Sequence, residues 1–272
     1  MRIGVVAPAR PVSREGSLRL SALMALTYPQ HEIVFHPQCY LSEGHFAGPD
    51  AVRAQAFLDF ANDPAFDAIW FARGGYGSNR ILHQVMPQLG PAARDKTYVG
   101  FSDMGFLLAA LYARRIGRQA HGAMASSLGI NDAGESTGWV LGWLIDGDRQ
   151  GLEPSLADGR PAVAFNLAIL NALIGTPWLP DLTDHVLMIE EVSEPLYRID
   201  RMLFQMAHAT QLRGIAGVRL GEVTDIQEND PPFGESIETM IVRWCGEMGV
   251  PYLGRAQIGH VERNRIVPFG VA

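Results

Sequence analysis

The first half of the chain alternates short apolar runs with segments of helical spacing, and this order constrains the fold more than any other feature. Four apolar runs have the length of buried strands, at residues 3–6, 33–35, 67–72 and 97–101. Helical spacing of apolar residues follows them, at residues 18–26, 51–61, 80–86 and 103–112. Strands that are apolar throughout, alternating with helices, predict a parallel sheet with helices on both faces. We expect Asp50 to cap the helix at 51–61.

The second half of the chain carries fewer clear signals. Polar residues and glycines at 147–160 are typical of a linker, which predicts an N-terminal α/β domain at 1–150 and a smaller C-terminal domain at 151–272. Helices are predicted at residues 167–174, 196–207 and 237–245, strands at 186–189 and 215–220, and a loop followed by a strand at 259–270. Periodicity does not choose between an α/β and an α+β arrangement for this second domain.

Composition and charge argue against several classes of protein. Hydrophobic residues make up 47% of the chain and charged residues 19%, as in an ordinary globular protein. The net charge of −7 argues against a nucleic-acid partner, because binding phosphates requires a clustered cationic surface. The longest apolar run, at 105–113, is too short to cross a bilayer, so we expect no membrane partner. Because the N-terminus lacks a signal-peptide pattern, we expect a cytoplasmic location.

Neither a metal site nor a disulfide framework is expected. The chain has two cysteines, Cys39 and Cys245, which lie far apart in the sequence. Its eight histidines are scattered, and no H-E-x-x-H pattern occurs. We therefore predict a protein without metal or cofactor.

A Gly-x-Ser pattern at the end of the fourth apolar run provides a candidate nucleophile. A nucleophile elbow is a sharp strand-to-helix turn that exposes a serine hydroxyl, and small residues two positions away relieve its crowding. Gly100 precedes Ser102 at that spacing, but Met104 stands where the common pattern has a second glycine. Taken alone, Ser102 and Asp103 are better explained as the start of a helix with an N-cap.

A glycine loop follows the third apolar run. Gly74, Gly75 and Gly77 let the backbone approach a ligand and direct N–H groups at an anion or oxyanion. The spacing matches neither a dinucleotide-binding nor a Walker loop, and a tight turn between strand and helix explains it equally well.

Two further candidates lie downstream. Glu190 and Glu191 end an apolar strand, and because side chains alternate along a strand, at most one of them can enter a given site. His260 follows Gly259, and a lone histidine is more often structural than catalytic. Together, however, the candidates supply a nucleophile, oxyanion donors, a carboxylate and a base, which is a complete set for acyl transfer.

Several ordered motifs resemble those of one enzyme family, the serine LD-carboxypeptidases, also called muramoyltetrapeptide carboxypeptidases. The resemblance runs over nearly the whole chain. Its motifs are Gly4–Pro8, Ala72–Ser78, Gly100–Asp103, His121–Gly122, Gly175–Leu182, Glu190–Val192, Tyr197–Arg201 and Gly259–His260. The chain departs from the family where Phe101 replaces a commoner tyrosine and where Ala164 and Phe165 precede Asn166 in place of two glycines.

The resemblance implies a Ser-His-Glu triad of Ser102, His260 and Glu190. It also implies that the backbone N–H groups of Gly75 and Asp103 bind the oxyanion. The family fold places the serine in an N-terminal α/β domain and the other two residues in the C-terminal domain, typically within a homodimer.

We expect four further residues to contact the substrate, namely Arg73, Gly74, Tyr76 and Asn166. Arg73 suits the terminal carboxylate that a carboxypeptidase must recognise. The resemblance implies a murein tetrapeptide ending in D-alanine as the substrate. Two alternatives stay open: a peptidase related to microcin immunity proteins, which cleaves peptide-nucleotide antibiotics, and a non-catalytic protein that binds an anion at the glycine loop. The latter predicts that Ser102, Glu190 and His260 lie far apart.

Overall fold

The computed structural model describes residues 1–129 and 132–272, which form two β-sheets covered by helices. The strands are β1 (Arg2–Val6), β2 (Glu32–Phe35), β3 (Ala68–Phe71), β4 (Thr97–Gly100), β5 (Arg118–His121), β6 (Ala162–Asn166), β7 (Val186–Val192), β8 (Gly217–Thr224), β9 (Tyr252–Arg255) and β10 (Val267–Pro268). The helices are α1 (Arg14–Thr27), α2 (Asp50–Ala61), α3 (Leu82–Val85), α4 (Gly105–Ala113), α5 (Glu135–Asp146), α6 (Leu167–Leu173), α7 (Leu196–His208) and α8 (Ile237–Met248).

The first sheet has the strand order β10-β5-β4-β3-β1-β2, and all its pairs are parallel except β10 with β5. Successive side chains of β3 point to opposite faces. Ile69 and Phe71 belong to the core that contains Phe57 of α2, whereas Trp70 belongs to the core that contains Leu20 of α1. All are buried, so both faces of the sheet are covered at β3, which explains why this strand is apolar throughout. The predicted parallel sheet with helices on both faces is confirmed.

The second sheet has the order β6-β7-β8-β9, and its strands are all parallel. The sequence left open whether this part of the chain is α/β or α+β. Its strands alternate with α6, α7 and α8 along the chain, as parallel strands require, so it is α/β.

Strand β10 returns from the end of the second half to the first sheet. Val267 pairs with His121 of β5, and Gly270 forms a bridge with Ala162 of β6. The predicted linker at 147–160 is packed against this returning segment, since Leu152 is buried and forms a bridge with Ile266. The division into domains at 1–150 and 151–272 stays a prediction.

The prediction that Asp50 caps α2 was wrong. Pro49 occupies the cap position without a side-chain hydrogen bond, and Asp50 is the first residue of the helix. Its carboxylate pairs with Arg53 and with Arg80, the latter at 2.8 Å. A carboxylate in the first turn still faces the positive end of the helix dipole, which explains why both positions suit aspartate. In the described part of the chain, no helix combines the length and apolar character needed to cross a membrane.

Candidate active site

Strand β4 ends at Gly100. After Phe101, Ser102 begins a sharp turn that leads into α4. Its φ angle is 57°, a left-handed conformation that is uncommon for a residue with a side chain. Gly100 packs closely against Phe71 of β3, since a Cβ atom on Gly100 would lie 2.9 Å from the Phe71 ring. The N-cap explanation does not hold, since Phe101 precedes this turn in an extended conformation and no side chain caps it.

A hydrogen-bonded chain links Ser102 to residues from the second half of the sequence. The Oγ atom of Ser102 lies 3.2 Å from Nε2 of His260, and Nδ1 of His260 lies 2.7 Å from Oε2 of Glu190. His260 follows Gly259, whose φ of 139° and contact with Glu222 leave no room for a side chain. A serine, an imidazole and a carboxylate in this order form the arrangement that activates a hydroxyl nucleophile.

Glu190 and Glu191 leave the end of β7 in opposite directions. The register between β7 and β8 shifts here, and the Glu190 side chain, fully buried, reaches His260. The Glu191 carboxylate instead binds the amide of Asn166 and the backbone N–H of Ala168, both at 2.8 Å. The Oε1 atom of Glu190 is buried and has no hydrogen-bond partner among the described residues. The charge of Glu190 is therefore compensated mainly through His260.

Glu190 controls the protonation of His260. Burial by itself lowers the pKa of His260, but the hydrogen bond to Glu190 and its negative charge outweigh burial, so the pKa is raised above the ordinary value. The carboxylate thus holds the ring with its Nδ1 proton directed away from Ser102 and stabilises the imidazolium that forms when Nε2 takes a proton.

A second polar network holds the loop that carries His260. The Oδ1 atom of Asn264 accepts a hydrogen bond from the Gly259 N–H at 3.0 Å and lies 2.9 Å from Nε2 of His121. Because that oxygen can only accept, Nε2 of His121 carries the proton, and burial lowers the pKa of His121 so that the ring is neutral. Sequence reasoning missed Asn264, because a single asparagine in a loop has no recognisable pattern.

The glycine loop approaches Ser102 closely and is held by Asp103. A Cβ atom on Gly74 would lie 3.2 Å from the Ser102 Oγ. The Asp103 carboxylate accepts from the N–H groups of Gly77 and Ser78, at 3.3 and 2.9 Å, and the Ser78 hydroxyl donates to the Asp103 carbonyl at 2.6 Å. Burial raises the pKa of Asp103 to about 6, against the opposing effect of these hydrogen bonds. One aspartate therefore fixes the distance between the loop and the serine turn.

A buried arginine binds the backbone of the same glycine loop. Arg53 of α2 is fully buried and donates to the carbonyls of Gly48, Pro8 and Gly77, at 3.2 Å for the first and 2.9 Å for the last. It also pairs with Asp50. Sequence reasoning missed Arg53, because an arginine on a helix is usually exposed and nothing in its neighbours indicates burial.

A cavity of about 210 Å³ opens beside Ser102. Its lining residues are Arg10, Arg73, Gly74, Gly75, Phe101, Ser102, Met124, Ser126, Ser127 and His260. Arg10 was not predicted. Its side chain lies on Gly75, where a Cβ atom would be 2.3 Å from the Arg10 Cδ. Gly75 also has a φ of 113°, so glycine is required there for two reasons.

Two of the predicted substrate contacts lie outside the lining of this cavity. Tyr76 is 47% exposed and packs near Phe46, with ring centroids 6.2 Å apart. Asn166 is buried, caps α6 through the Ile169 N–H and donates to Glu191. Substrate binding by these two residues stays a prediction.

The site holds the groups needed for acyl transfer by protein side chains. Across residues 1–129 and 132–272, no three His, Cys, Asp or Glu side chains gather into a group that could hold a metal ion. Ser102 and His260 line the open cavity, and Gly74 and Gly75 of the glycine loop line the same cavity. Such an arrangement can attack a carbonyl and stabilise the resulting oxyanion.

Comparison with family models matches both halves of the chain. The LD-carboxypeptidase N-terminal domain matches residues 3–122, and the LD-carboxypeptidase C-terminal domain matches residues 161–272. Residues 102 and 260 therefore fall in different matched segments.

Curated relatives are similar over nearly the full length of the chain. A Streptomyces coelicolor protein named "Putative carboxypeptidase" is 34% identical, and the match covers 99% of this chain and 88% of that protein. The murein tetrapeptide carboxypeptidase of Pseudomonas aeruginosa is 26% identical, with 99% of this chain and 91% of that protein covered.

Solved structures share the fold at lower identity. The muramoyltetrapeptide carboxypeptidase of Oxalobacter formigenes has a TM-score of 0.81 and 22% identity, covering 99% of this chain and 93% of that one. The self-immunity protein MccF in complex with glutamyl sulfamoyl guanosine has a TM-score of 0.80 and 16% identity, covering 99% and 91%.

Proposed function

Because the chain belongs to the LD-carboxypeptidase family, we propose that it is a serine carboxypeptidase that releases terminal D-alanine from murein tetrapeptides by cutting the L,D-peptide bond. The observation that carries this proposal is the hydrogen-bonded chain from Ser102 through His260 to Glu190 at the wall of an open cavity. The names of relatives that act on murein peptides support the choice of substrate.

In the first half of the reaction, Nε2 of His260 takes the proton of the Ser102 hydroxyl as Oγ bonds to the carbonyl carbon of the residue before D-alanine. The ring then gives that proton to the nitrogen of D-alanine, the C–N bond breaks, and an acyl-enzyme remains. In the second half, His260 deprotonates a water molecule, whose oxygen bonds to the ester carbon. The bond between that carbon and Oγ then breaks, Oγ takes the proton back from His260, and the shortened peptide leaves with a free carboxylate. Glu190 orients the ring and stabilises its cationic form in both halves.

The backbone N–H groups of Gly75 and Asp103 are the proposed donors to the oxyanion. Gly75 has a positive φ of 113° and follows Gly74, which lies close to Ser102, while Asp103 is the residue after the nucleophile. The hydrogen bonds from Gly77 and Ser78 to the Asp103 carboxylate hold these two segments together before substrate arrives. Donors that are fixed in advance lower the barrier, since they need no reorganisation when charge develops.

Arg73 is the proposed partner of the terminal carboxylate. It lines the same cavity as Ser102 and directly precedes the glycine loop. A guanidinium can bind a carboxylate through two parallel hydrogen bonds, which would fix the end of the peptide.

The proposal is tested by measuring D-alanine release from a purified tetrapeptide by the wild-type protein and by Ser102→Ala. We expect the substitution to lower the rate by about 10⁴- to 10⁶-fold, as loss of a triad nucleophile does in other serine peptidases. Release that continues at the wild-type rate in Ser102→Ala would exclude Ser102 as the nucleophile.

A second candidate function is hydrolysis of peptide-nucleotide antibiotics. The similarity in fold to MccF in complex with glutamyl sulfamoyl guanosine is the observation that favours it. Hydrolysis of an aminoacyl-sulfamoyl nucleoside by a protein that leaves the tetrapeptide intact would support this function over the first.

The anion-binding alternative requires Ser102, Glu190 and His260 to lie far apart. Distances of 3.2 Å and 2.7 Å along their chain of hydrogen bonds argue against it. The homodimer stays a prediction, which sedimentation of the purified protein would test.

A further inference from the structure

Two arginines line the cavity beside Ser102, and none of its described lining residues is acidic. Among the described residues, neither Arg10 nor Arg73 makes an ion pair, although thirteen such pairs occur elsewhere. The nearest carboxylates serve other groups: Glu190 lies behind His260, and Asp103 binds the backbone of the glycine loop. The cavity of this acidic protein is therefore cationic.

The two guanidinium groups are close enough to affect each other. Burial and, after it, the charge of Arg10 lower the pKa of Arg73. Arg10 is exposed, and the stem of its side chain lies against Gly75, within the van der Waals distance of a Cβ atom there. Like charges in one cavity repel, so this arrangement disfavours the empty site and favours a ligand with more than one negative charge.

A single terminal carboxylate can pair with one guanidinium in the two-bond geometry, which leaves the other guanidinium without a partner. We propose that Arg10 is a specificity-determining residue that binds a second carboxylate of the substrate, on the side chain of the residue whose carbonyl Ser102 attacks. Arg73 binds the terminal carboxylate, as in the proposed function on which this inference rests. The preferred substrate is accordingly a peptide with two carboxylates flanking the scissile bond.

The assignment of each arginine follows from its place in the chain. Arg73 lines the cavity and directly precedes Gly74, which lies close to Ser102. The carboxylate of a terminal residue is three bonds from the scissile carbonyl carbon, so we assign that carboxylate to Arg73. Arg10 comes from the segment after β1, and its side chain lies against Gly75, the next residue of the glycine loop after Gly74. It therefore suits a carboxylate at the end of a longer side chain.

The inference is tested with four synthetic tetrapeptides that differ at two positions. The terminal D-alanine carries a free carboxylate or an amide, and the residue before it is a diamino dicarboxylic acid or lysine, which lacks the side-chain carboxylate. Release of the terminal residue is measured as kcat/KM for the wild type, Arg10→Gln, Arg10→Lys and Arg73→Gln. Arg213→Gln, outside the cavity lining, is the control for an equal change in net charge.

For the wild type, we expect the free side-chain carboxylate to raise kcat/KM by about 10- to 100-fold, the usual range for a charged hydrogen bond. Arg10→Gln should remove this preference and keep the preference for a terminal carboxylate, and Arg73→Gln should do the reverse. Arg10→Lys should retain part of the preference, and Arg213→Gln all of it.

Two results would overturn the inference. If the wild type cleaves both peptides with a free terminus equally, the proposed function stands and the second carboxylate site does not exist. If Arg10→Gln slows all peptides by the same factor, Arg10 does not recognise the side-chain carboxylate. Failure of the wild type to cleave any of the four peptides would instead overturn the proposed function, and this inference with it.

Discussion

At the scale of single residues, the site depends on backbone conformations that most side chains avoid. The left-handed φ of 57° at Ser102 costs on the order of 1–3 kcal/mol, which the surrounding fold must offset. In this conformation Ser102 lines the cavity. Gly75 and Gly259, at φ of 113° and 139°, adopt conformations that only glycine takes readily. Three parts of the site are thus fixed by local backbone geometry.

Sequence reasoning reached the residues whose local pattern carries information. Ser102 follows a Gly-x-Ser turn, and Glu190 and His260 stand in motifs of one family. It did not reach Asn264 or Arg53, because what matters about them is their burial and their long-range partners. Asn264 contacts His121, 143 residues away in the chain. No pattern of neighbours along the sequence encodes such a contact.

Replacing Glu190 by glutamine tests the electrostatic role of this residue. The amide keeps the shape but loses the negative charge that raises the pKa of His260 above its ordinary value of 6.5. Only the neutral ring can accept the serine proton, so activity falls as the pH drops through the pKa of His260. In Glu190→Gln this pKa is lower, and the acid limb of kcat/KM should move to lower pH. The plateau should fall by about 10²- to 10⁴-fold.

The pH profile of kcat/KM measures both effects. Glu235→Gln, which removes a carboxylate paired with Arg243 at 2.9 Å, is the control and should leave the profile unchanged. An acid limb that stays in place in Glu190→Gln would show that Glu190 does not set the pKa of His260.

At the scale of elements, the predictable strands are those with a continuous apolar run, such as β1, β3 and β4. Strand β5 was not predicted, because it begins with Arg118 and Gln119, yet it is paired on both sides by β4 and β10. Strand β9 and helix α5 were also missed. Helix α5 contains two glycines, Gly138 and Gly142, which weaken a helical signal. Tertiary pairing decides these elements more than local preference does.

The loop that carries His260 is held by side chains that include Asn264 and Ser136. In Asn264→Ala, the Gly259 N–H loses its acceptor and His121 loses its partner, so the imidazole is free to leave its hydrogen bond with Ser102. We expect kcat to fall by about 10- to 100-fold with little change in KM, and stability to fall by about 1–3 kcal/mol.

The matched control is Asn171→Ala. Asn171 is also buried, but its amide donates to Leu167 within the same helix, α6. This substitution should lower the free energy of unfolding and leave kcat unchanged. Equal losses of kcat in the two variants would mean that Asn264 acts only through stability. Steady-state kinetics and urea unfolding measure both quantities.

At the scale of the whole molecule, β10 joins the two halves. It completes the first sheet beside β5, and the residues around it form bridges to Leu152 and to β6. The apolar residues near the end of the chain predict a strand within 259–270, but they do not indicate which sheet this strand joins. A strand of two residues can pair with any free edge, and only the packed molecule decides between them.

Val267 tests this joining. The residue is fully buried at the junction, so Val267→Asp places a charge in the apolar core and should lower the free energy of unfolding by about 3–5 kcal/mol. Because the strand contacts both halves, we expect tryptophan fluorescence and circular dichroism to report the same transition. The control is Val242→Asp on α8. Val242 is 52% exposed, so this variant should change the free energy of unfolding by less than about 0.5 kcal/mol. Two separate transitions in the wild type would argue against a single cooperative unit.

The separation of Ser102 from its base along the chain has a consequence during protein synthesis. The two residues are 158 positions apart, so a ribosome working at about 5–20 residues per second adds His260 roughly 10–30 s after Ser102. Throughout that interval the emerging polypeptide presents a serine with no imidazole beside it. On the proposed mechanism, a nascent or prematurely terminated product cannot hydrolyse the peptides of the cell that makes it.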